Sequence, residues 1–469
     1  MNDLLIMKFG GTSMGSADRI RVAAGLTAAE QKRRPVAIVV SAMSKITDLL
    51  LDSLRKAEAG DETDLGRNLE LLSTRHVEAC RGLLDPDRQT RALEGVQTLV
   101  AEFARIAKGI LMLGERPPRS VDEAVSVGER LSALMMAEYL DSQGVPAQAV
   151  NAADVIATDA VFGNATPLMD HTRQRAAKVL RPLLDRGVLP VVTGFNGSTL
   201  DGRPTTLGRG GSDFSASILA AALDASELWI WTDVDGIMSG DPRLVSDARV
   251  LAEITYAEAA ELAYNGAKVL HPRTLAPLAE RQIPVWSKNS FAPEKPGTRI
   301  VPRVQAPQGV HAVTSMADVA LVSIEPASAG LNGTKVMARS LDALARSNVE
   351  LLAITSSSYR QSFCFLVRQS ELARATEFLE EDLALELAHG YLKPIQVDPE
   401  VGLIAVVGEG MRGMPGLAGR IFTAISRHQV NIIAIAQGSS ELTIAIVVHR
   451  GGLERAVRAI HEECELGVG

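Results

Sequence analysis

Short apolar runs that end in small or polar residues recur along the amino-terminal part of the chain. They are Leu4 to Phe9, Val36 to Val40, Leu189 to Thr193, Glu227 to Thr232 and Ile283 to Ser287. Longer stretches between them carry apolar residues three and four positions apart, which is the spacing of amphipathic helices. This alternation predicts parallel strands joined by crossover helices, in an α/β sandwich whose ligands lie beyond the carboxyl ends of the strands.

Two stretches depart from this alternation. From Leu49 to about Leu140 the apolar residues keep helical spacing and almost no strand signal occurs. That pattern predicts a helical subdomain inserted between two strands. Between Pro293 and Pro307 the chain becomes rich in proline and charge, which predicts a domain boundary.

An internal repeat follows this boundary. Residues 348–354 moved forward by 81 positions fall on residues 429–435, and the same offset carries Arg346 onto Arg427 and Val367 onto Val448. Each copy reads as strand, glycine-rich turn, amphipathic helix, strand, turn and strand. Two related α+β modules are therefore predicted, and because two copies are too few for a solenoid, we interpret them as a paired regulatory or interaction unit.

Composition narrows the class of protein. A chain of 469 residues corresponds to roughly three domains. Its net charge of -8 gives no broad attraction for nucleic acid or anionic lipid. Cys80, Cys364 and Cys464 lack the paired spacing of a zinc or redox site, and the apolar patch Leu4 to Met7 is too short for a signal or membrane segment. We expect a soluble, cytoplasmic protein that binds small molecules or copies of itself, but neither nucleic acid nor membranes.

The first predicted strand ends in a possible phosphate-binding turn. Lys8 is followed by Phe9, Gly10 and Gly11, and then by Thr12 and Ser13. Glycines allow backbone amides to approach a phosphate, and the lysine can neutralise a phosphoryl group in transfer. The turn is not a Walker loop, because no Gly-Lys-Ser/Thr follows at the required distance. The alternative is a tight turn in which Thr12 or Ser13 caps a helix.

Hydroxyl groups cluster after the second predicted strand, between Ser41 and Asp48. They can bind a carboxylate or a phosphate. The alternative is that they cap a helix that begins near Asp48.

The most specific segment surrounds Arg209. Three glycines flank this arginine, and Ser212, Asp213 and a helix of small residues from Ala216 to Ala222 follow. The pattern predicts an anion-binding turn at a helix amino end. The arginine can grip a carboxylate through its planar fork, and Asp213 can orient an amine or a catalytic lysine. The alternative is an ordinary glycine-rich loop.

Three further segments hold candidate ligand-binding groups. The stretch from Thr232 to Arg243 brings carboxylates and an arginine to a strand end, where a nucleotide or its metal can bind, or else forms a surface turn with a salt bridge. Lys268 lies near a predicted helix end, and Glu129, towards the end of the helical insertion, is a candidate for binding a substrate ammonium group. Taken singly, both are more often solvent-exposed charges.

In this order and together with the tandem modules, these motifs resemble those of the aspartate kinases, members of the amino-acid kinase superfamily. The resemblance implies an amino-acid-kinase-like three-layer α/β sandwich over residues 1–300, with the helical insertion at about 49–140. Two ferredoxin-like ACT modules would follow, the first over 308–395 with strand exchange and the second over 396–469. It also implies ATP-dependent phosphorylation of the β-carboxylate of L-aspartate, the first step of the aspartate-family amino-acid pathway, with feedback regulation through the ACT modules.

The resemblance assigns roles to individual residues. Lys8 would stabilise the transferring phosphoryl group, and Asp213 would organise the site around it. The positions matching aspartate contacts are Ser41, Thr47, Glu129, Arg209 and Ser212. Those matching nucleotide contacts are Lys8, Phe9, Gly10, Gly11, Thr232, Asp233, Met238, Arg243 and Lys268. The two glycines would lend amides to the phosphoryl group, Mg²⁺ would bridge the phosphates, and no residue is assigned as a metal ligand.

The chain also departs from the family pattern. Lys45 stands where a small residue, often glycine, is common, and Met238 replaces the aromatic residue usual beside the adenine. In the first ACT module, Leu352 and Ser358 stand at positions that are acidic in lysine-sensitive relatives, which argues against a lysine effector bound by that route.

The second ACT module resembles the threonine-sensitive and plant-type pattern from Ala436 to Glu441. Gln437, with Asn431 and Ile432, is the candidate effector contact. The alternative is that these strand-end residues only pack the interface between modules.

Two other functions remain open from the sequence. A kinase acting on glutamate or acetylglutamate shares the fold but lacks the insertion and the ACT pair, and a catalytically inactive amino-acid sensor would use the ACT pair alone. We expect a homodimer or higher oligomer through ACT pairing, and a monofunctional kinase because no homoserine dehydrogenase domain follows Gly469. The effector, the choice between dimer and tetramer, and the downstream product are left open.

Overall fold

The computed structural model describes residues 3–267, 270–304, 309–327, 332–357 and 362–467. The chain forms two compact units. The first comprises Met1–Ile237, Ala252–Tyr256 and Leu270–Arg303, and the second comprises Met238–Leu251, Ala257–Val269 and Val304–Gly469. Two short segments of the amino-terminal region therefore pack with the carboxyl-terminal unit.

The first unit is built on an eight-stranded sheet. Its strands and those of a small hairpin are β1 (Leu5–Phe9), β2 (Val36–Val40), β3 (Ala147–Val150), β4 (Leu189–Thr193), β5 (Asn196–Ser198), β6 (Pro204–Thr206), β7 (Glu227–Thr232), β8 (Glu253–Thr255), β9 (Val285–Asn289) and β10 (Thr298–Val301). The sheet has the order β3-β4-β2-β1-β7-β9-β10-β8, and β5 pairs with β6. The paired strands of this sheet are parallel except β9 and β10. The predicted parallel sheet is confirmed.

The helices described in this part of the chain connect its strands. They are α1 (Ala17–Gln31), α2 (Ile46–Glu58), α3 (Glu62–Leu83), α4 (Pro86–Leu113), α5 (Pro118–Val125), α6 (Val127–Ser142), α7 (Met169–Val179), α8 (Arg181–Asp185), α9 (Gly211–Leu223), α10 (Tyr256–Tyr264) and α11 (Pro272–Arg281). α10 begins in the first unit and continues into the second. Residues 46–142, all of which the structure describes, form helices α2 to α6 with no strand among them, so the predicted helical insertion is confirmed.

The alternation of side chains along β1 positions the candidate lysine. Leu5, Met7 and Phe9 enter the core that the insertion helices share with the sheet. Lys8 therefore points to the opposite face, because successive side chains of a strand alternate. α9 packs on that face and pairs its first turn with the lysine.

The second unit contains a six-stranded antiparallel sheet. Its elements are β11 (Ala312–Ile324), α12 (Gly333–Arg346), β12 (Ala353–Ser356), β13 (Phe363–Arg368), α13 (Leu372–Asp382), α14 (Ala384–Ala388), β14 (Gln396–Val407), α15 (Leu417–Arg427), β15 (Ile432–Gln437), β16 (Thr443–His449) and α16 (Leu453–Glu463). The order is β12-β13-β11-β14-β16-β15. The first half of β11 lies beside the second half of β14, with register shifts between Met316 and Leu321.

The sequence repeat is visible in these elements. Both ends of α13 and α16 are 81 residues apart, and so are Asn348 and Gln429, which share a left-handed φ of 54°. Each copy packs its helices on its own core, around Phe365 in the first and Ile446 in the second. The predicted α+β modules are confirmed, whereas the boundaries 1–300, 308–395 and 396–469 stay a prediction.

Among the residues described, no helix combines the length and the apolar character needed to cross a membrane.

Candidate active site

The Lys8 ammonium and the Asp213 carboxylate form an ion pair at the carboxyl end of β1. Nζ lies 2.6 Å from Oδ1, and Lys8 is only 8% exposed. Asp213 is in the first turn of α9. The cap residue of this helix is Gly210, which has no side chain with which to cap it. The structure thus brings together the two residues assigned to catalysis, although their catalytic roles stay a prediction.

This ion pair opens into a cleft of about 740 Å³. All residues predicted to contact aspartate line it together with the pair: Lys8, Ser41, Thr47, Glu129, Arg209, Ser212 and Asp213. Lys8 and Arg209 therefore share one cleft. The structure adds lining residues that the sequence did not indicate, among them Asp122 and Phe195.

The turn after β1 requires one correction. The Gly10 amide donates to the carbonyl oxygen of Trp231 at 3.1 Å, so it is not available to a phosphate as expected. The Gly11 amide makes no such bond to any residue in the described ranges, and a Cβ there would lie 3.3 Å from the Ala42 carbonyl oxygen. Gly11 therefore remains the candidate amide donor, and its missing side chain allows the close approach of the second loop.

Neither Thr12 nor Ser13 caps a helix. The cap of α1 is Ser16, which accepts from the Arg19 amide at 3.3 Å. Ser13 is fully buried, with its hydroxyl 2.8 Å from that of Ser290. The capping alternative for this turn is wrong, and the Ser13 hydroxyl is directed into the protein.

The hydroxyl cluster after β2 is not used for helix capping either. α2 begins at Ile46, and its cap residue, Lys45, makes no side-chain capping bond. Ser41, Ser44 and Thr47 instead line the cleft. Lys45 has a left-handed backbone with φ of 65°. That conformation favours glycine, which gives a physical reason for the small residue common at this position in the resembled family.

Glu129 is buried at the start of α6 and is 3% exposed. Its Oε1 accepts from the Ala42 amide at 3.2 Å, while Oε2 has no hydrogen-bond partner among the described residues. Burial raises the pKa of this carboxyl to about 8. A cationic group entering the cleft would find an acceptor at Oε2 and would favour the ionised form.

Arg209 is presented on a glycine-supported turn. Gly208 and Gly210 have φ of 75° and 69°, and a Cβ on Gly208 would lie 2.6 Å from Asn164 Oδ1. The guanidinium is exposed and forms neither a hydrogen bond nor an ion pair with the part of the chain that the structure describes. A planar cation held in this way is suited to a carboxylate, which it can bind through two parallel hydrogen bonds.

Similarity to known proteins agrees with this geometry. The profile of the Amino acid kinase family matches residues 3–289, and an ACT domain profile matches residues 404–464. Lysine-sensitive aspartokinase 3 of Escherichia coli (strain K12) is 33% identical, over 98% of this chain and 99% of that protein. The chain belongs to the aspartokinases of the amino acid kinase family.

Longer relatives within the aspartokinases also match. The bifunctional aspartokinase/homoserine dehydrogenase 1 of Arabidopsis thaliana is 34% identical over 97% of this chain, which spans about 50% of that relative. Among solved structures, Escherichia coli aspartokinase III in complex with aspartate and ADP has a TM-score of 0.84 and 30% identity, covering 98% of this chain and 99% of that one.

The residues assigned to the nucleotide in this aspartokinase-family chain belong to several segments and to both units. Phe9 stacks on Trp231 with its side chain buried, so only its backbone can face a ligand. Thr232 ends β7 and Asp233 follows it, with the Thr232 hydroxyl donating to Asp233 Oδ1 at 3.3 Å. Met238 and Arg243 belong to the second unit, where Arg243 pairs with Asp241 at 2.6 Å. Lys268 lies outside the described residues, and all these nucleotide roles stay predictions.

The candidate effector residues are separated as well. Ile432 lines a cavity of about 530 Å³ with residues of β12 and β13, whereas Gln437 lines another of about 630 Å³ beside the start of α15. Asn431 lines neither of these two cavities. Leu352 packs against the sheet core, and Ser358 lies outside the described residues. The three residues therefore do not form one effector site in the described structure.

Proposed function

We propose that the chain transfers the γ-phosphoryl group of ATP to the β-carboxylate of L-aspartate, giving 4-phospho-L-aspartate and ADP. The observation that carries this proposal is the cleft in which the Lys8–Asp213 pair, the free Arg209 guanidinium and the buried Glu129 converge. The complex of Escherichia coli aspartokinase III with aspartate and ADP supports it by similarity.

The charges around the cleft complement those of aspartate. The amino acid carries two carboxylates and one ammonium group. Arg209 supplies a guanidinium with no partner among the described residues, with Ser212 beside it, and Glu129 supplies a buried acceptor oxygen for the ammonium. Bound in this way, aspartate would direct its second carboxylate towards Lys8.

Phosphoryl transfer in this cleft needs position and charge neutralisation more than proton transfer. A carboxylate oxygen of aspartate forms the new bond to phosphorus while the bond to the β-phosphate oxygen breaks, and ADP leaves. The nucleophile is already ionised at neutral pH, so no general base is required. Lys8 and the Gly11 amide would stabilise the charge on the transferring group.

Mg²⁺ is proposed to enter with the nucleotide. The described residues contain no group of three or more His, Cys, Asp or Glu side chains that could hold a metal ion. Magnesium is commonly bound by substrate phosphates and water with few protein ligands, which fits this set of residues. When bound, it would neutralise phosphate charge.

Regulation and assembly are proposed from the second unit. One of its two modules matches the ACT domain profile, and the Escherichia coli relative is lysine-sensitive, so we propose an amino-acid effector at these modules. We also propose a homodimer or higher oligomer through ACT pairing. A cytoplasmic location accords with ATP as substrate and with the free thiols of Cys80, Cys364 and Cys464.

The activity is tested by trapping the acyl phosphate. Purified protein is incubated with ATP, Mg²⁺, hydroxylamine and aspartate, glutamate or acetylglutamate, and the hydroxamate formed is measured. Of the three amino acids, we expect only aspartate to give hydroxamate. Lys8→Ala should lower kcat at least about a hundredfold, because a charge that stabilises the transition state is lost. Lys32→Ala removes an exposed lysine and should leave kcat unchanged.

Three results would contradict the proposal. Product from glutamate or acetylglutamate alone would indicate another amino-acid kinase. Binding of an amino acid without any turnover would indicate a sensor. Full activity of Lys8→Ala with unchanged circular dichroism would remove the lysine from the mechanism.

A further inference from the structure

Asp122 is a buried carboxylate beside the Arg209 turn. It lies on α5 of the helical insertion and is 2% exposed. Its Oδ1 accepts from the Thr206 hydroxyl at 2.8 Å, and Oδ2 accepts from the amides of Thr206 at 2.9 Å and Gly163 at 2.8 Å. One side chain from the helical insertion therefore holds two separate segments of the first unit, one at Gly163 and one at Thr206.

The chemistry of Asp122 differs from that of an ordinary structural acid. No lysine, arginine or histidine among the described residues forms an ion pair with it, and burial raises the pKa of its carboxyl while the three hydrogen bonds oppose this rise. A buried charge without a cation is costly unless its hydrogen bonds are satisfied. Here all three donors are neutral, and all three donate to the two oxygens of Asp122. The relative placement of Thr206 and Gly163 therefore depends on this carboxylate.

The Thr206 segment that Asp122 holds continues directly into the turn that carries Arg209. Thr206 ends β6 and precedes Gly208 and Arg209 by two and three residues. The Thr206 carbonyl accepts from the Ala165 amide at 2.8 Å, which ties this strand to the turn containing Gly163. Asp122, Gly163, Thr206 and Arg209 all line the cleft.

We propose that Asp122 is a positioning residue that fixes the Thr206–Arg209 segment against the helical insertion, so that the affinity for the amino-acid substrate depends on it. The inference rests on the proposed function, because it assigns Arg209 to the substrate carboxylate. It gives the helical insertion a role in recognising aspartate that does not involve direct contact by Asp122.

Replacement of Asp122 by asparagine is the sharpest change. The side chain keeps its shape but loses its charge. Its remaining oxygen can accept from the amides of Thr206 and Gly163 only if its NH₂ group donates to the Thr206 hydroxyl, which reverses that hydrogen bond. Because hydrogen bonds to a carboxylate are stronger than those to a neutral amide, Asp122→Asn should raise KM for aspartate about tenfold. KM for ATP should stay within about twofold, because Asp122 holds only the segment proposed to bind aspartate. A change that weakens aspartate binding equally in the ground state and the transition state raises KM for aspartate and leaves kcat unchanged.

Two comparisons separate positioning from general damage. Glu123→Gln makes the same chemical change at the next residue of α5, whose side chain has no hydrogen bond or ion pair to the described residues, and it should leave both KM values unchanged. Thr206→Val removes the hydroxyl bonded to Asp122, and Thr206→Ser restores it. The valine variant should raise KM for aspartate, the serine variant should not, and the effects of Asp122→Asn and Thr206→Val should be less than additive.

Calorimetry of aspartate binding without ATP makes the test independent of turnover. If the wild-type protein binds aspartate but forms no hydroxamate, the kinase proposal fails, and weaker binding by Asp122→Asn still supports the inference. Unchanged aspartate affinity in Asp122→Asn would overturn it. So would a parallel rise of both KM values with a lower melting temperature, or the absence of any aspartate binding by the wild-type protein.

Discussion

The carboxyl group of Glu129 is enclosed by α6 and the loop after β2, with one oxygen bonded to the Ala42 amide and the other without a described partner. Burial raises its pKa from an ordinary 4.5 to about 8. In the unliganded protein at pH 7 this group is therefore mostly protonated. An ammonium group in the cleft binds the ionised form, so binding of aspartate should release a proton.

The pH dependence of kcat/KM for aspartate follows from this shift. Because the pKa is raised, ionised Glu129 becomes scarcer as the pH falls below about 8. We expect kcat/KM to rise nearly tenfold per pH unit from about pH 6.5 and to level off above pH 8, since this parameter reports groups of the free enzyme. Steady-state kinetics in one mixed buffer of constant ionic strength provides the measurement.

Glu129→Gln supplies the control for this profile. The amide keeps the shape of the side chain but does not titrate, so the variant should show a low kcat/KM that is flat over the same range. A flat profile for the wild-type protein, or a rising one for the variant, would show that Glu129 does not bind the ammonium group.

At the residue scale, the sequence predicted charged groups better than backbone contacts. Lys8 and Arg209 were recognisable because each stands beside glycines at a strand or helix end. The engagement of the Gly10 amide by Trp231 was not, because it depends on which strand lies next to β1. Asp122 was missed because an isolated acid on an amphipathic helix gives no signal before its partners are brought together.

At the element scale, α3 carries a histidine whose titration should affect the stability of the helical insertion. His76 is fully buried, its Nδ1 lies 2.7 Å from the Leu72 carbonyl oxygen, and Nε2 has no partner in the described residues. The carbonyl accepts, so Nδ1 carries the proton of the neutral ring. Burial lowers the pKa of His76 to about 4.

A lowered histidine pKa makes the folded protein less stable in acid. The stabilisation is fully present above the unfolded pKa of about 6.5 and is lost as the pH falls towards 4, because the unfolded chain takes up the proton first. Between pH 7.5 and 5 the free energy of unfolding should fall about 2 kcal/mol more in the wild-type protein than in His76→Leu. Urea denaturation at the two pH values measures this difference.

His171→Leu is the matched control, because His171 lies exposed on α7. It should lose stability with acid to the same extent as the wild-type protein. Equal pH dependence in the wild-type protein and His76→Leu would mean that His76 is free to protonate in the folded state.

Elements with strong patterns were predicted closely, and weak ones were not. The strands Val36–Val40 and Glu227–Thr232 agree at both ends, because uninterrupted apolar runs identify buried parallel strands. The short strands β8 and β10 were missed, since three or four residues carry too little periodicity and β8 pairs with a strand far along the chain. The 81-residue repeat was informative because the same pattern of apolar and polar residues occurs twice, and each copy predicts the same α+β module.

At the scale of the whole molecule, the ends of the six-stranded sheet bear on assembly. β12 and β15 are its edge strands, and they expose Ile354 and Ile435 at 39% and 41%. Exposed apolar edges tend to pair with another chain. Light scattering of the wild-type protein should therefore give at least twice the mass of one chain.

A charge on one of these edges should prevent assembly. Ile435→Glu is expected to lower the measured mass towards that of one chain, because a carboxylate would have to be buried in the contact. Val161→Glu places the same charge on another exposed apolar residue, in the first unit, and should leave the mass unchanged. A wild-type monomer at assay concentrations would contradict assembly through the ACT modules.

The division into units was the part of the whole molecule that the sequence did not predict. Met238–Leu251 lies within the kinase-family match, yet it packs with the carboxyl-terminal unit. Val245 joins the core of the second ACT module, and the Ser239 hydroxyl lies 3.0 Å from Nε2 of buried His461. The apolar character of a loop residue such as Val245 predicts that the residue is buried, but it does not predict in which of the two cores.

A crystal structure with aspartate, Mg²⁺ and a non-hydrolysable ATP analogue would show directly how the cleft holds its substrates. We expect one aspartate carboxylate on Arg209, the ammonium group on Glu129, and the other carboxylate between Lys8 and the terminal phosphate. Aspartate bound in the second unit alone, or bound in the cleft with its carboxylates away from both Arg209 and Lys8, would contradict this expectation.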